Sequence, residues 1–302
     1  MLEVCLLGTG GTVPLPNRWL TSCLLRWKGH SLLVDCGEGT QIALHQHGYS
    51  CRHIDTILLT HFHADHTAGL PGLLLTMAKS ERTEPVTIYG PKGLEEILRG
   101  IMTVARYVPF EIRFREIRER EYTFQIDDLK VCAFAVRHSV PCFGYAFDLA
   151  RGRKFDVTKA GKLNLPKKYW GLLQKEQTVE YEGKTYTPDM VLGEERKGIR
   201  LVYTTDTRPV SYIREHAVKA DLFIAEGMYG DPEKQEKAEY NKHMTMQESA
   251  AIAASAGVKE LWFTHYSPSM PNPGIYLDDV KMIFPNAAAA SDGQKKELSF
   301  ED

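Results

Sequence analysis

Three histidines and an aspartate crowd into Thr60-His61-Phe62-His63-Ala64-Asp65-His66, directly after the apolar segment 56–60. Nothing else in this 302-residue chain limits its fold so sharply. A buried imidazole must satisfy its ring nitrogens, and a metal ion satisfies several at once. Imidazole and carboxylate donors suit zinc. In extended backbone the His61/His63 spacing puts both rings on one side. A turn then carries Asp65 and His66 toward a second ion. The alternative is a solvated polar loop, which fits poorly when the whole chain has only 11 histidines.

One cluster does not close two sites, so more ligands are expected at other strand ends. His138 follows the apolar segment 131–137, Asp206 follows 201–205 and His265 follows 261–264. Each alone reads as a polar strand cap. Three of them beside the histidine cluster point to a shared centre. Strands are expected at 3–7, 22–27, 31–35, 56–60, 86–89, 111–117, 122–124, 130–137, 200–204, 222–225 and 260–263. Helices are expected at 72–79, with Pro71 in the first turn, and at 93–108. Thr245-Met246-Gln247-Glu248 has the form of a capping box, and the alanine-rich helix after it should end at Gly257. Strands first and helices interleaved, in two halves, predict sheet-on-sheet packing with helices outside.

Residues 151–198 break this pattern. The stretch is long, polar and weakly periodic, and such loops are usually functional or mobile. We read it as an arm inserted into one domain spanning 1–302. Arg151, Arg153, Lys154, Lys159, Lys162, Lys167, Lys168 and Lys175 face a single acid, Asp156, and Phe155, Tyr169 and Trp170 are interleaved. A basic arm can grip a phosphate backbone and stack aromatic rings on bases. The plainer reading is a solvated charged loop. Net charge is −2, so nucleic-acid affinity has to come from a local patch of this kind. The six cysteines are scattered, with no CxxC pair. The first residues lack the basic region of a signal peptide, and no run approaches the ~20 apolar residues of a membrane span. These features predict reduced core thiols in a cytoplasmic protein that does not enter membranes.

HxHxDH followed by a distant His, Asp and His at strand ends resembles the metallo-β-lactamase superfamily over nearly the whole chain. Asp35-Cys36-Gly37-Glu38-Gly39-Thr40-Gln41 and Gly69-Leu70-Pro71-Gly72-Leu73-Leu74 narrow the resemblance to the ribonuclease Z family. So do Gly8-Thr9-Gly10 with Pro16-Asn17-Arg18, Thr205-Asp206-Thr207-Arg208-Pro209, and Phe263-Thr264-His265-Tyr266-Ser267. Two segments depart from that family. Leu165-Pro166-Lys167-Lys168 lacks the arm's usual Gly-Pro element, and Ser267-Pro268-Ser269-Met270 replaces a segment that offers Arg and Tyr to the RNA 3′ end.

The resemblance implies an α/β (α+β) fold, a four-layer αββα metallo-β-lactamase sandwich with a protruding arm, and a homodimer. It implies two zinc ions, with Mn2+ or Fe2+ as alternatives. His61, His63 and His138 would hold one, Asp65, His66 and His265 the other, and Asp206 would bridge them. A metal-bridging hydroxide would then cut a phosphodiester, with Asp65 taking a proton from the attacking water. The implied substrate is precursor tRNA, freed of its 3′ trailer to leave a 3′-hydroxyl, with the arm as tRNA exosite. His243 resembles the family's His-Ser-Thr loop, with Met244 in place of Ser. It would protonate the leaving ribose oxygen, oriented by Glu226. Taken alone, His243 reads as a surface residue before a helix. Asp35 reads either as the partner of a metal-ligating histidine or as a turn former. His30, His45, His47, His53 and His216 read as surface or structural. Two other functions remain in view. One is a hydrolase of a small phosphodiester, lactone or thioester on the same fold, insensitive to salt. The other is a metal-free, non-enzymatic module, which the complete set of seven ligands argues against.

Overall fold

A computed structural model describes residues 1–301. It forms two compact units: Met1–Asp148 with Ile199–Ser299, and Leu149–Gly198 with the chain end from Phe300.

The larger unit holds two seven-stranded sheets. In the first, β1 (Leu2–Gly8), β2 (Ser22–Trp27), β3 (His30–Val34), β4 (Thr56–Leu58), β5 (Val86–Pro91) and β6 (Ile112–Ile117) lie side by side in chain order. The second begins with β7 (Glu121–Ile126), β8 (Leu129–Val136) and β9 (Cys142–Arg151). The hairpin β10 (Val179–Tyr181) and β11 (Lys184–Tyr186) intervenes in the smaller unit. The second sheet then resumes with β12 (Arg196–Tyr203), β13 (Leu222–Glu226), β14 (Leu261–Thr264) and β15 (Ala287–Ala289). Finally β16 (Lys295–Leu298) returns to pair antiparallel with β1.

Period-two alternation explains the layering. Cys5, Leu7, Leu24, Leu33, Ile57 and Ile88 pack against Leu70, Leu73, Leu74 and Met77 of the helix Leu70–Lys79. Their neighbours Val4, Leu6, Leu25, Leu32, Val34 and Leu58 point the opposite way and are equally buried. A sheet buried on both faces needs a layer on each. In the second sheet Val202, Phe223, Ala225 and Phe263 pack with the helices Ser211–Ala217 and Met246–Ala256. Leu201, Tyr203, Leu222 and Ile224 are buried on the other face. Hydrogen bonds tie the sheets together, among them Tyr145 Oη to Leu59 O at 2.7 Å and Phe143 N to Thr60 O at 3.0 Å. The result is the expected αββα sandwich.

Most elements lie within a residue or two of their predicted places. The helix Met246–Ala256 has the full capping box from Thr245 and Glu248, and ends at Gly257 with φ 63°. The predicted helix 93–108 is shorter, Leu94–Ile101, and tightens into a 3₁₀ turn at Met102–Ala105. Gly100 and the β-branched pair Thr103-Val104 disfavour the helix, and Thr103 Oγ1 bonds back to Gly100 O at 2.7 Å. The strands β9, β15 and β16 went unanticipated. In β15 a run of alanines hides the pattern, and in β16 alternating lysines do.

The smaller unit differs from the expected loop, because it has its own core. Ala160, Leu165, Leu173, Val179, Tyr186, Val191 and Leu192 are buried together. Phe155, Tyr169 and Trp170 pack against them, so these rings build the arm instead of standing free. Asp156 caps the helix Val157–Lys162 through Lys159 N at 2.9 Å. Glu182 and Gly183, both at positive φ, turn the β10–β11 hairpin. Elements this short need few apolar residues, so no periodicity shows in the sequence.

Candidate metal centre

The parallel strands β12, β13 and β14 end at one edge, and so do the parallel strands β3 and β4. Asp206, Glu226 and His265 therefore come together, and Asp35 comes together with His61. The chain leaves β4 through Leu59 and Thr60, extends through His63, and turns into the helix Ala64–Thr67, which carries Asp65 and His66. His138 follows β8 by two residues.

His61, His63, His138 and Asp206 form one group of donors, and Asp65, His66 and His265 form another. In the first group, His63 Nδ1 lies 3.0 Å from His61 Nε2 and 3.3 Å from His138 Nε2. In the second, His66 Nε2 lies 3.2 Å from His265 Nε2, and Asp65 Oδ2 lies 3.3 Å from His265 Nε2. Asp206 stands between the groups. Its Oδ1 is 3.1 Å from both His66 Nε2 and His265 Nε2, while its Oδ2 is 3.8 Å from His61 Nε2 and 3.6 Å from His138 Nε2. All seven expected ligands are thus brought together.

The donor set fits divalent metal ions. Five imidazoles cannot all donate to one another, yet their nitrogens converge on two carboxylates. Asp206 Oδ1 and His265 Nδ1 are buried without a hydrogen-bond partner. Burial holds the His61 ring well below its ordinary pKa and takes His138 down to about 4, despite the nearby Asp206 carboxylate. Burial thus favours the neutral form of both rings, the form that binds metal. Burial alone would raise the Asp206 carboxyl, but His265 and His66 outweigh it and hold it ionised.

The remaining ring nitrogens are held from behind. His66 Nδ1 meets Asp35 Oδ2 at 2.8 Å, and Asp35 also accepts Thr60 N at 2.8 Å. Asp35 takes φ 59°, a conformation open to aspartate at a tight turn. It thus holds the His66 ring and forms the turn at once. His138 Nδ1 meets Lys242 O at 3.1 Å. Asp65 Oδ2 accepts Thr12 N at 2.6 Å. Gly11 is the close approach in that loop, because a Cβ there would lie 2.6 Å from His265 Cε1. We expect Asp35→Ala to weaken metal affinity by roughly 10–100-fold, read by chelator competition. Unchanged affinity would show that Asp35 serves the backbone only.

His243 Nδ1 bonds Glu226 Oε2 at 2.9 Å, and Glu226 Oε1 accepts Thr207 N at 2.6 Å. Glu226 is fully buried. Burial works against charge on the His243 ring, but the Glu226 carboxylate outweighs it and raises the pKa to about 9. Arg208 fixes the segment by donating to His243 O and pairing with Glu248, the residue that caps the next helix. Sequence reasoning assigned no role to Thr12, Thr207 or Arg208. The first two act through backbone amides, which leave no side-chain signature. His63, Asp65, His138, Asp206, His243 and His265 all line an open cleft of about 550 Å³. None of His30, His45, His47, His53 or His216 joins these groups. His30 pairs with Asp55, and His216 stacks on Phe134.

Ribonuclease Z of Agathobacter rectalis is 50% identical over 302 residues, covering all of both chains. Ribonuclease Z of Lachnoclostridium phytofermentans is 50% identical over 301 residues, covering 100% of this chain and 99% of that one. The fold is that of the short form of human tRNase Z, at 24% identity and TM-score 0.72, covering 99% of this chain and 100% of that one. The metallo-β-lactamase fold protein YhfI of Bacillus subtilis aligns at TM-score 0.71 and 19% identity, covering 98% of each. Residues 2–157 match the family described as anti-Pycsar protein Apyc1. With half of all positions identical to these relatives from end to end, the chain belongs to the ribonuclease Z family, metal-dependent endoribonucleases of the metallo-β-lactamase fold, and over residues 2–157 it also belongs with the Apyc1 family.

Proposed function

We propose that this chain removes the 3′ trailer from precursor tRNA by hydrolysing one phosphodiester bond at the Asp206 centre. The observation that carries the chemistry is the placement of Asp206, with one carboxylate oxygen toward each histidine group. His61, His63 and His138 would hold one zinc ion and Asp65, His66 and His265 a second, with Mn2+ or Fe2+ as substitutes. Two such ions lower the pKa of a water and offset charge on a phosphodiester.

The protein groups do the rest. Thr12 N orients the Asp65 carboxylate, which accepts a proton from the attacking water. Burial opposes ionisation of Asp65, but the His265 and His66 rings outweigh it and keep the carboxylate charged. His243, anchored at Nδ1 by Glu226, lines the cleft and protonates the leaving ribose oxygen. The fully buried Glu226 holds the ring in place and keeps its proton affinity high.

RNA binding rests on the arm. Leu149–Gly198 has eleven basic residues against seven acidic ones, an excess of base in a chain that is acidic overall. Arg153 is committed within the arm, paired with Glu176 and Asp189. Lys167 and Lys168 instead lie over the rings of Trp170 and Tyr169, leaving their ammonium groups available to phosphate. Lys167→Glu with Lys168→Glu should raise KM for precursor tRNA about 10-fold and flatten its salt dependence. Hydrolysis of a small phosphodiester should not change. Equal losses on both substrates would remove the arm from RNA recognition. A homodimer working in the cytoplasm completes the reading.

The test is cleavage of a precursor tRNA bearing a 3′ trailer, with product ends mapped, by wild type beside Asp65→Ala. A 3′-hydroxyl on the discriminator nucleotide, made by wild type alone, supports the proposal. Intact RNA, with Asp65-dependent hydrolysis of bis-p-nitrophenyl phosphate, would replace it with a small-molecule phosphodiesterase.

A further inference from the structure

A second constellation of metal-binding side chains lies on the helix-covered face of the second sheet. Glu121 opens β7, Cys132 lies in β8, and His216 lies on the helix Ser211–Ala217. Their carboxylate, thiol and imidazole donor atoms all fall within 4.8 Å of one another. Among the described groups of this kind, it is the one that includes a cysteine. Cys132 Sγ is 3.6 Å from Glu121 Oε1, and His216 Nε2 is 3.7 Å from Glu121 Oε2. These separations are long for strong hydrogen bonds. They contract little if all three donors instead bind one ion at about 2.0–2.3 Å.

We propose that Glu121, Cys132 and His216 form a structural site for a soft divalent transition-metal ion, with zinc as the first choice. Thiolate, imidazole and carboxylate together favour zinc over magnesium or calcium. The ring of His216 is already held, stacked on Phe134 at 4.2 Å and 8°. Tyr212, one turn earlier on the helix, donates its hydroxyl to Glu121 Oε2 and steadies that carboxylate. The site is open to entry, since the Glu121 side chain is 46% exposed. Binding releases the Cys132 thiol proton to solvent, and Glu121 stays ionised as a ligand.

Such a clip joins two segments that the catalytic centre depends on. Strand β8 runs into His138, and the helix Ser211–Ala217 follows the Asp206–Arg208 turn. These segments already meet where Arg137 N bonds Thr207 Oγ1 at 3.1 Å and Arg208 N bonds Arg137 O at 2.8 Å. An ion holding β8 to that helix would restrain both ligands at once.

Cobalt substitution tests this independently of RNA cleavage. The seven ligands of the catalytic centre include no thiolate. A thiolate-to-cobalt charge-transfer band in the near ultraviolet therefore reports on a cysteine outside that set, and the variants say which one. Wild type saturated with cobalt should show this band, and Cys132→Ser should lose it while keeping the visible bands of the catalytic centre. His216→Gln should need at least 10-fold more cobalt to reach the same intensity. No band in saturated wild type would overturn the proposal. So would a band that survives in Cys132→Ser and disappears in Cys142→Ser, because Cys142 Sγ lies 3.8 Å from His61 Nδ1.

Discussion

Asp206→Ala should lower kcat/KM for RNA by about 10⁴-fold or more, the scale on which parts of one catalytic unit fail together. The change deletes the group that stands between both sets of histidines. With Oδ1 3.1 Å from His66 and His265, and Oδ2 3.6 Å from His138, no neighbour can take over both roles. Bound metal should fall with it, whereas the fold should persist, because the β12–β14 core beneath the residue is apolar and unchanged. Asp206→Asn keeps one oxygen and should keep more metal than the alanine variant. Circular dichroism, metal content and single-turnover cleavage separate these effects. Near-wild-type cleavage by Asp206→Ala would refute the bridging role.

His243→Ala should slow cleavage by about 10²–10⁴-fold, the usual worth of a positioned general acid, with metal content unchanged. Glu226→Gln gives the more informative result. In the wild type the carboxylate raises the His243 pKa to about 9 against the cost of burial. A general acid works while protonated, so activity should fall as pH rises through that pKa. Removing the negative charge lowers the proton affinity of the ring. The alkaline limb of the kcat profile should therefore move to lower pH in Glu226→Gln. An unmoved limb would make Glu226 a purely structural partner of Thr207 N.

The cluster of donor residues was legible because its chemistry is dense in sequence. His61, His63, Asp65 and His66 are neighbours in the chain, while His138, Asp206 and His265 each follow a recognisable apolar strand. The capping box at Thr245 is equally local. What escaped the sequence was carried by backbone or by small size. Thr12 and Thr207 act through amides, which any residue supplies. In β15 the run of alanines gives no alternation to read. The arm looked like a loop because its core of seven buried side chains is spread over short elements. Its aromatic residues, read first as stacking platforms for bases, support that core.

The proposed chemistry at Asp206 calls for two ions, one on either side of that carboxylate. Anomalous diffraction at the zinc edge, from crystals of protein purified without chelator, tests this most directly. Two peaks are expected in the cleft. One should lie among His61, His63 and His138, the other among Asp65, His66 and His265, with the Asp206 carboxylate between them. A single peak, or none, with the histidines bonded to one another, would contradict the account.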